Sequence, residues 1–212
     1  MLNDRRKFLA LTGKASLGLL LAFNFGCSIG KKVAPNTAKK TALIYGTRYG
    51  STHDTAVWIN NGIGLDLDLL NVEDISFEQT LLDYDQFILG SGVWTGGIHA
   101  RLKEFMEKNK EQLQDKVIAS FVVCGSQDNT DSGKKSIQKY LAQFSQTLGY
   151  QPLFEKNFGG RIIVSLLSTE DKQALTSFYR KYLNRELENW NRMDETKAEN
   201  YGKEINSMVT KP

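Results

Sequence analysis

Cysteine and histidine are scarce in this 212-residue chain, which holds only Cys27, Cys124, His53 and His99. Two thiols exclude a disulfide-stapled scaffold. No grouping of His, Cys or carboxylates has ligand spacing, so no metal site is expected. The chain also lacks an apolar run long enough to span a membrane: Ala15 to Phe25 falls well short of the roughly 20 residues a spanning helix needs. Surplus charge is missing from the body of the protein. The formal +3 comes from Arg5, Arg6, Lys7 and Lys14 against Asp4, and removing those from 27 cations and 24 anions leaves 23 of each. That neutrality argues against nucleic acid or another polyanion as partner. Nor does a Gly-Lys-Ser/Thr close any glycine-rich turn, which disfavours a nucleoside-triphosphatase loop; Gly133-Lys134 lacks the glycine five residues earlier. What remains suits one domain, 41% hydrophobic and 24% charged, large enough for a core of its own.

The first 27 residues do not read as part of that core. Asp4-Arg5-Arg6-Lys7-Phe8-Leu9 opens a mostly apolar stretch and resembles a twin-arginine export signal, with Asp4 where Ser or Thr is commoner. The expectation is a signal peptide over 1–27, a tether over 28–40 and a domain over 41–209, exported to the outer side of the cytoplasmic membrane. Gly26-Cys27 offers a lipoprotein cleavage site, although Asn24 and Phe25 fit one poorly. Anchoring to the membrane through a lipid on Cys27 stays open.

From Thr41 onward, short apolar runs alternate with amphipathic segments, the pattern of β-α units around a parallel sheet. Strands are expected at Thr41–Tyr45, Leu65–Asn71, Gln86–Gly90 and Val117–Cys124, with a fifth inside Pro152–Val164 interrupted at Gly159-Gly160. Leu65–Asn71 alternates as an edge strand does. The VIASFVVC run is apolar enough to be buried on both faces. Helices are expected at Thr52–Asn60, Ile98–Lys110 with Leu102, Phe105 and Met106 inward, and Lys134–Leu148 with Ile137, Leu141, Phe144 and Leu148 on one stripe. Two more follow, at Thr169–Leu183 and Glu195–Met208, where a five-stranded doubly wound sheet needs one. The sequence does not say what the extra helix is for.

The exit of the first strand carries the chemistry. In Leu43-Ile44-Tyr45-Gly46-Thr47-Arg48-Tyr49-Gly50-Ser51-Thr52 a buried strand enters a turn rich in hydroxyls and glycine and passes directly into a helix. Such a turn aims backbone N–H groups and a helix N-terminus at one point, which favours a phosphate. Thr47, Ser51 and Thr52 add hydroxyl donors, and Gly50 allows close approach. The plainer alternative is an ordinary helix start capped by Ser51 or Thr52.

At these residues the chain resembles the flavodoxin family. Leu43, Ile44, Tyr45, Thr47, Gly50, Thr52 and Ala56 fill the family's signature in register, with Ile59 at the aliphatic position beyond. The resemblance covers the body from about Lys40 to the final helix. It implies a flavodoxin-like α/β fold, a doubly wound five-stranded parallel sheet with helices on both faces, and flavin mononucleotide (FMN) as cofactor. Its phosphate would be held by Thr47, Arg48, Tyr49, Gly50, Ser51 and Thr52. It also implies two flavin-contacting loops after the third and fourth strands: Ser91, Gly92, Val93, Trp94, Thr95, Gly96 and Gly97, then Cys124, Gly125, Ser126, Gln127 and Asp128.

Trp94 either stacks on the flavin or covers a sheet edge. Cys124 is either redox-active or a small buried hydrophobe. No aromatic follows Cys124, which would leave one flavin face open. The string Gly90, Gly96, His99, Phe105 is similar to a region of the menaquinone-linked protoporphyrinogen dehydrogenases, although Trp94 and Thr95 stand where that branch has a basic and an aromatic residue. His99 would then be catalytic, delivering a proton, or would simply begin its helix. Three functions follow: an FMN redox protein serving a redox partner or a quinone-like small molecule, a protoporphyrinogen IX dehydrogenase-like enzyme, or a binding module without redox work.

Overall fold

Residues 39–76 and 81–209 are described by the computed structural model, so the signal peptide expected at 1–27 and the tether as far as residue 38 lie outside them. Five strands form a parallel sheet: β1 (Thr41–Gly46), β2 (Asp68–Asn71), β3 (Gln86–Trp94), β5 (Val117–Cys124) and β6 (Phe154–Gly159). Their order is β2-β1-β3-β5-β6, with the short β4 (Gly97–Ile98) paired antiparallel to the end of β3. After β2 the chain crosses β1 and continues on its other side. The switch in strand order therefore falls between β1 and β3, where open α/β sheets hold their ligands.

Helices cover both faces because the inner strands bury both. Ala42 and Ile44 of β1 join Phe87, Leu89 and Val122 in one core, covered by α2 (Ala100–Lys108) and α4 (Asp131–Leu148) through Leu102, Phe105, Met106, Phe144 and Leu148. A one-turn α3 (Lys110–Leu113) follows α2. Leu43 and Tyr45 point the other way, into a second core with Ile88, Phe121 and Phe158, covered by α1 (Ser51–Ile63) and α6 (Glu195–Val209). The period-2 alternation of strand side chains thus divides one apolar run between two cores. Leu141 is only half-buried beside its stripe.

The two C-terminal helices have different tasks. The last, α6, completes the sheet's coat. Ala198, Tyr201 and Ile205 are buried, and the Tyr201 hydroxyl reaches the carbonyls of Ser120 (3.0 Å) and Phe154 (3.1 Å). It crosses α1 where both backbones are bare: a Cβ on Gly62 would strike the Glu199 carbonyl, and one on Gly202 the Ile59 carbonyl. The surplus helix is α5 (Thr169–Leu183), capped by Ser168, whose hydroxyl accepts from the Asp171 N–H at 3.1 Å.

Several expected boundaries change. The helix expected at Thr52–Asn60 runs Ser51–Ile63, and that expected at Lys134–Leu148 begins at Asp131. That expected at Ile98–Lys110 is Ala100–Lys108, because Ile98 pairs in β4. β2 begins at Asp68 rather than Leu65, because α1 runs to Ile63 and Gly64 closes it in the left-handed region at φ 72°. β3 runs four residues beyond Gly90, because Val93 and Trp94 pair with Ile98 and Gly97. The loop expected over Ser91–Gly97 is therefore a hairpin. Its turn residues, Thr95 (φ 48°) and Gly96 (φ 86°), both have the positive φ of the tight turn that suits the twist of its strands.

Candidate functional site

The sheet brings the strand exits together. Gly46 pairs with Ser91, Gly92 with Val123, and Cys124 with Gly159, so the turn after β1, the hairpin after β3, the loop after β5 and the turn after β6 lie side by side.

The turn after β1 is shaped from within. Gly50 sits at φ 86°, a conformation costly for residues with a Cβ, and it is the N-cap of α1. No side chain caps that helix, so the ordinary start capped by Ser51 or Thr52 is not what forms. The Gly50 N–H instead donates to Thr47 Oγ1 at 3.0 Å, and the Arg161 N–H donates to Ser51 Oγ at 3.3 Å. Both hydroxyl oxygens accept from backbone amides, which leaves each hydroxyl hydrogen to donate elsewhere. Thr52 is buried, and a Cβ on Gly92 would come within 2.9 Å of its Oγ1, so β3 approaches the turn closely only as glycine.

Arg48 and Tyr49 turn away from that point. Arg48 donates Nε and Nη2 to Asp171 of α5, each at 2.6 Å, and Tyr49 donates its hydroxyl to the same carboxylate. The Ser168 N–H donates to the Tyr49 hydroxyl at 3.1 Å. Burial pushes the Asp171 carboxyl up, but the Tyr49 hydroxyl and the Arg48 guanidinium outweigh it and hold its pKa below the ordinary value. The same guanidinium lies 4.7 Å from the Trp94 ring, and Tyr49 tilts against that ring at 6.0 Å. Trp94 is therefore held by Arg48 and Tyr49 of the turn after β1.

His99 caps the hairpin's return. Its N–H donates to Ser91 Oγ at 2.8 Å, its ring packs on Gly46, and Nε2 lies 3.6 Å from Glu73 Oε1. Nδ1 is buried with no partner among the described residues. Burial lowers its pKa, Glu73 opposes that and Arg48 adds to it, so the site favours the neutral imidazole. His53 is engaged elsewhere, its Nδ1 2.7 Å from the Tyr45 hydroxyl.

The loop after β5 is covered by residues that no motif singles out. After β6 the chain forms β7 (Arg161–Ile162), which pairs antiparallel with β8 (Trp190–Asn191). Trp190 lies 3.5 Å from where a Cβ on Gly125 would be, and Arg192 donates Nη1 to the Gly125 carbonyl at 2.8 Å. No aromatic follows Cys124 directly in the chain, but Trp190, 65 residues beyond Gly125, lies against this loop. Its Nε1 donates to the Tyr179 hydroxyl at 2.6 Å, which ties it to α5. Cys124 is buried, burial pushes its thiol pKa up, and Sγ lies 3.8 Å from the Ser126 carbonyl. Asp128 faces Lys197 at 3.8 Å, outside the cluster. Among the described residues no group of His, Cys, Asp and Glu could hold a metal, and no helix is long and apolar enough to cross a membrane.

A phosphate ester fits the residues present. The turn combines an uncapped helix start, hydroxyls with hydrogens to give and, beside Gly50, an arginine whose buried Nε has no acceptor among the described residues.

Solved structures of similar fold include a metal-soaked flavodiiron core from Synechocystis sp. PCC6803, 15% identical over 81% of this chain and 36% of that one, with a TM-score of 0.49. The chain thus spans about a third of the length of that flavodiiron protein. A flavodoxin, WrbA-like protein from Agrobacterium tumefaciens is 18% identical over 81% of this chain and 97% of its own (TM-score 0.46). A flavoprotein in complex with FMN from Lactobacillus acidophilus NCFM is 21% identical over 57% and 93% (TM-score 0.41). Comparison with curated proteins finds no match. The profile described as Flavodoxin domain matches residues 42–185, from β1 through α5 and so across all the strand exits that build the site. With more than half its length matched, the chain belongs to the flavodoxin-domain family.

Proposed function

We propose that this protein is an FMN-dependent redox protein working outside the cytoplasm, where it passes electrons to a quinone-like molecule or a redox partner. FMN is the cofactor of its domain. When bound, it supplies reversible electron and hydride chemistry, while the protein supplies position and electrostatics. The observation that carries the reading is the turn after β1. There Thr47 and Ser51 each accept an amide and keep a hydroxyl hydrogen to give, at a helix start that no side chain caps.

The other strand exits would border the flavin ring. Trp94 ends the β3 strand of the hairpin, and Trp190 of the β7–β8 ribbon lies beside Gly125. Two indoles at the rim suit an apolar, planar partner. The balanced charge of the body supports a small-molecule acceptor over the basic protein partners that an acidic shuttle would attract. Export rests on the paired arginines and the apolar stretch behind them, and a lipid on Cys27 would hold the domain at the membrane surface. Cys124 serves as packing in this reading, since burial keeps it a thiol.

A protoporphyrinogen dehydrogenase-like activity is the second reading. His99 favours it, because the residue stands between the β1 exit and Glu73 as a neutral imidazole able to take a proton. Anaerobic reduction of the flavin-loaded protein, followed by reoxidation with a menaquinone analogue, tests the first reading. Reoxidation no faster than with a non-quinone acceptor counts against it, and oxidation of protoporphyrinogen IX with loss of that activity in His99→Ala selects the second.

A further inference from the structure

β6 ends at Gly159, and the two residues after it are drawn against the phosphate turn. A Cβ on Gly160 would lie 4.0 Å from Ser51 Oγ, and the Arg161 N–H already donates to that oxygen. The Arg161 side chain then folds over the start of α1. Its Nη1 lies 2.7 Å from Asp54 Oδ2 in the first turn, and its Nη2 lies 3.7 Å from where a Cβ on Gly50 would be. Nε is buried and has no hydrogen-bond partner among the described residues. A guanidinium has two kinds of edge. The Nη1 end is occupied by Asp54, while Nε and Nη2 form the side-on fork that grips carboxylates and phosphates with two parallel bonds. That fork lies against the same turn as the Thr47 and Ser51 hydroxyls, and a buried N–H without an acceptor is costly.

We propose that Arg161 is a ligand of the flavin's phosphate, a fixed cation that makes the site select the phosphorylated flavin over riboflavin. The proposal rests on the turn after β1 being the FMN phosphate site. Asp54 has the opposite effect. Its carboxylate holds the guanidinium over the turn, but it also sets a negative charge beside an incoming dianion.

The two residues therefore separate ligation from a purely structural ion pair. Affinities of the flavin-stripped full chain for FMN and for riboflavin, read by flavin fluorescence, should be measured for wild type, Arg161→Met and Asp54→Asn. Arg161→Met is expected to weaken FMN about 10- to 100-fold, as loss of a charge-assisted donor would. It should leave riboflavin within about twofold. Asp54→Asn is expected to hold FMN at least as tightly as wild type, because the cation stays and the repulsion goes. Equal losses of both flavins in Arg161→Met, or unchanged FMN affinity, would overturn the proposal while leaving FMN binding itself intact. If Arg161→Met does not fold, Asp54→Asn still decides: a loss of FMN there would mean that the ion pair, not the cation, is what matters. A wild-type chain that takes up neither flavin overturns the reading of the turn and this proposal together.

Discussion

Nε and Nη2 of Arg48 each stand 2.6 Å from one carboxylate oxygen of Asp171, a residue 123 positions later in the chain. The fork fastens α5, the helix the sheet does not need, onto the turn that would hold the cofactor's phosphate. Tyr49 adds a hydroxyl to the same carboxylate and accepts the Ser168 N–H, so both ends of that turn are tied: Arg48 and Tyr49 to α5, Ser51 to Arg161.

Asp171→Asn should destabilise the protein by about 1–2 kcal/mol at neutral pH. The figure is kept low because half of the Arg48 side chain is exposed to solvent. The native carboxyl is held below its ordinary 3.8, so the unfolded chain takes up the proton first as pH falls. The contribution is fully present above that ordinary value and drains away as pH drops through the lower native one. Urea unfolding of wild type and variant should show a gap at pH 7 that closes in strong acid. A gap of constant size would mean the carboxylate's charge plays no part.

Ser51→Ala and Thr52→Val should each weaken FMN by about 1–3 kcal/mol, since each removes a hydroxyl donor from a doubly charged acceptor. Titration of the flavin-stripped protein measures this directly. Both hydroxyls lie on a turn whose backbone is set by Gly50 and Thr47, so the fold should survive and the far-UV spectrum stay unchanged.

Gly202→Ala should cost about 3 kcal/mol or more, because its methyl would meet the Ile59 carbonyl in a helix crossing with no room to open. Denaturant midpoints read the loss. A fall of less than about 1 kcal/mol would show that α6 can shift away from α1.

Trp190→Ala should weaken FMN by about 0.5–1.5 kcal/mol and alter its visible spectrum, if the indole beside Gly125 faces the ring. The Nε1 bond to Tyr179 is lost as well, so Trp190→Phe, which keeps the aromatic face, is the control. Affinity restored by Phe but not by Ala identifies stacking as the cause.

The sheet was readable in the sequence because its signals are local. Val117–Cys124 could be marked to the residue, since a run of eight residues, apolar but for Ser120 and bounded by Lys116 and Gly125, has one reading in an α/β protein. The β1 exit was readable too, as hydroxyls and glycine at fixed offsets. The β3 hairpin was not. Thr95 holds a positive φ that its side chain disfavours, and no Asn-Gly or Asp-Gly marks the turn. Asp171, Arg161 and Trp190 were hidden for another reason. Each reaches the site from more than 60 residues away, and no periodicity encodes such a meeting. Arg161 left one faint trace, the Gly159-Gly160 break just before it, where the structure shows the Arg192 carbonyl packed so close to Gly159 that a Cβ there would clash. The helix expected at Glu195–Met208 formed as α6, and its packing role was legible in its buried stripe, Ala198, Tyr201 and Ile205, set against the bare backbone at Gly62 and Gly202.

The flavin released by heating the purified full chain, after incubation with excess FMN and removal of what stays unbound, tests the account most directly. One equivalent of FMN per protein in the supernatant, identified by chromatography, is the predicted result. A folded protein that stays colourless and releases none would contradict it.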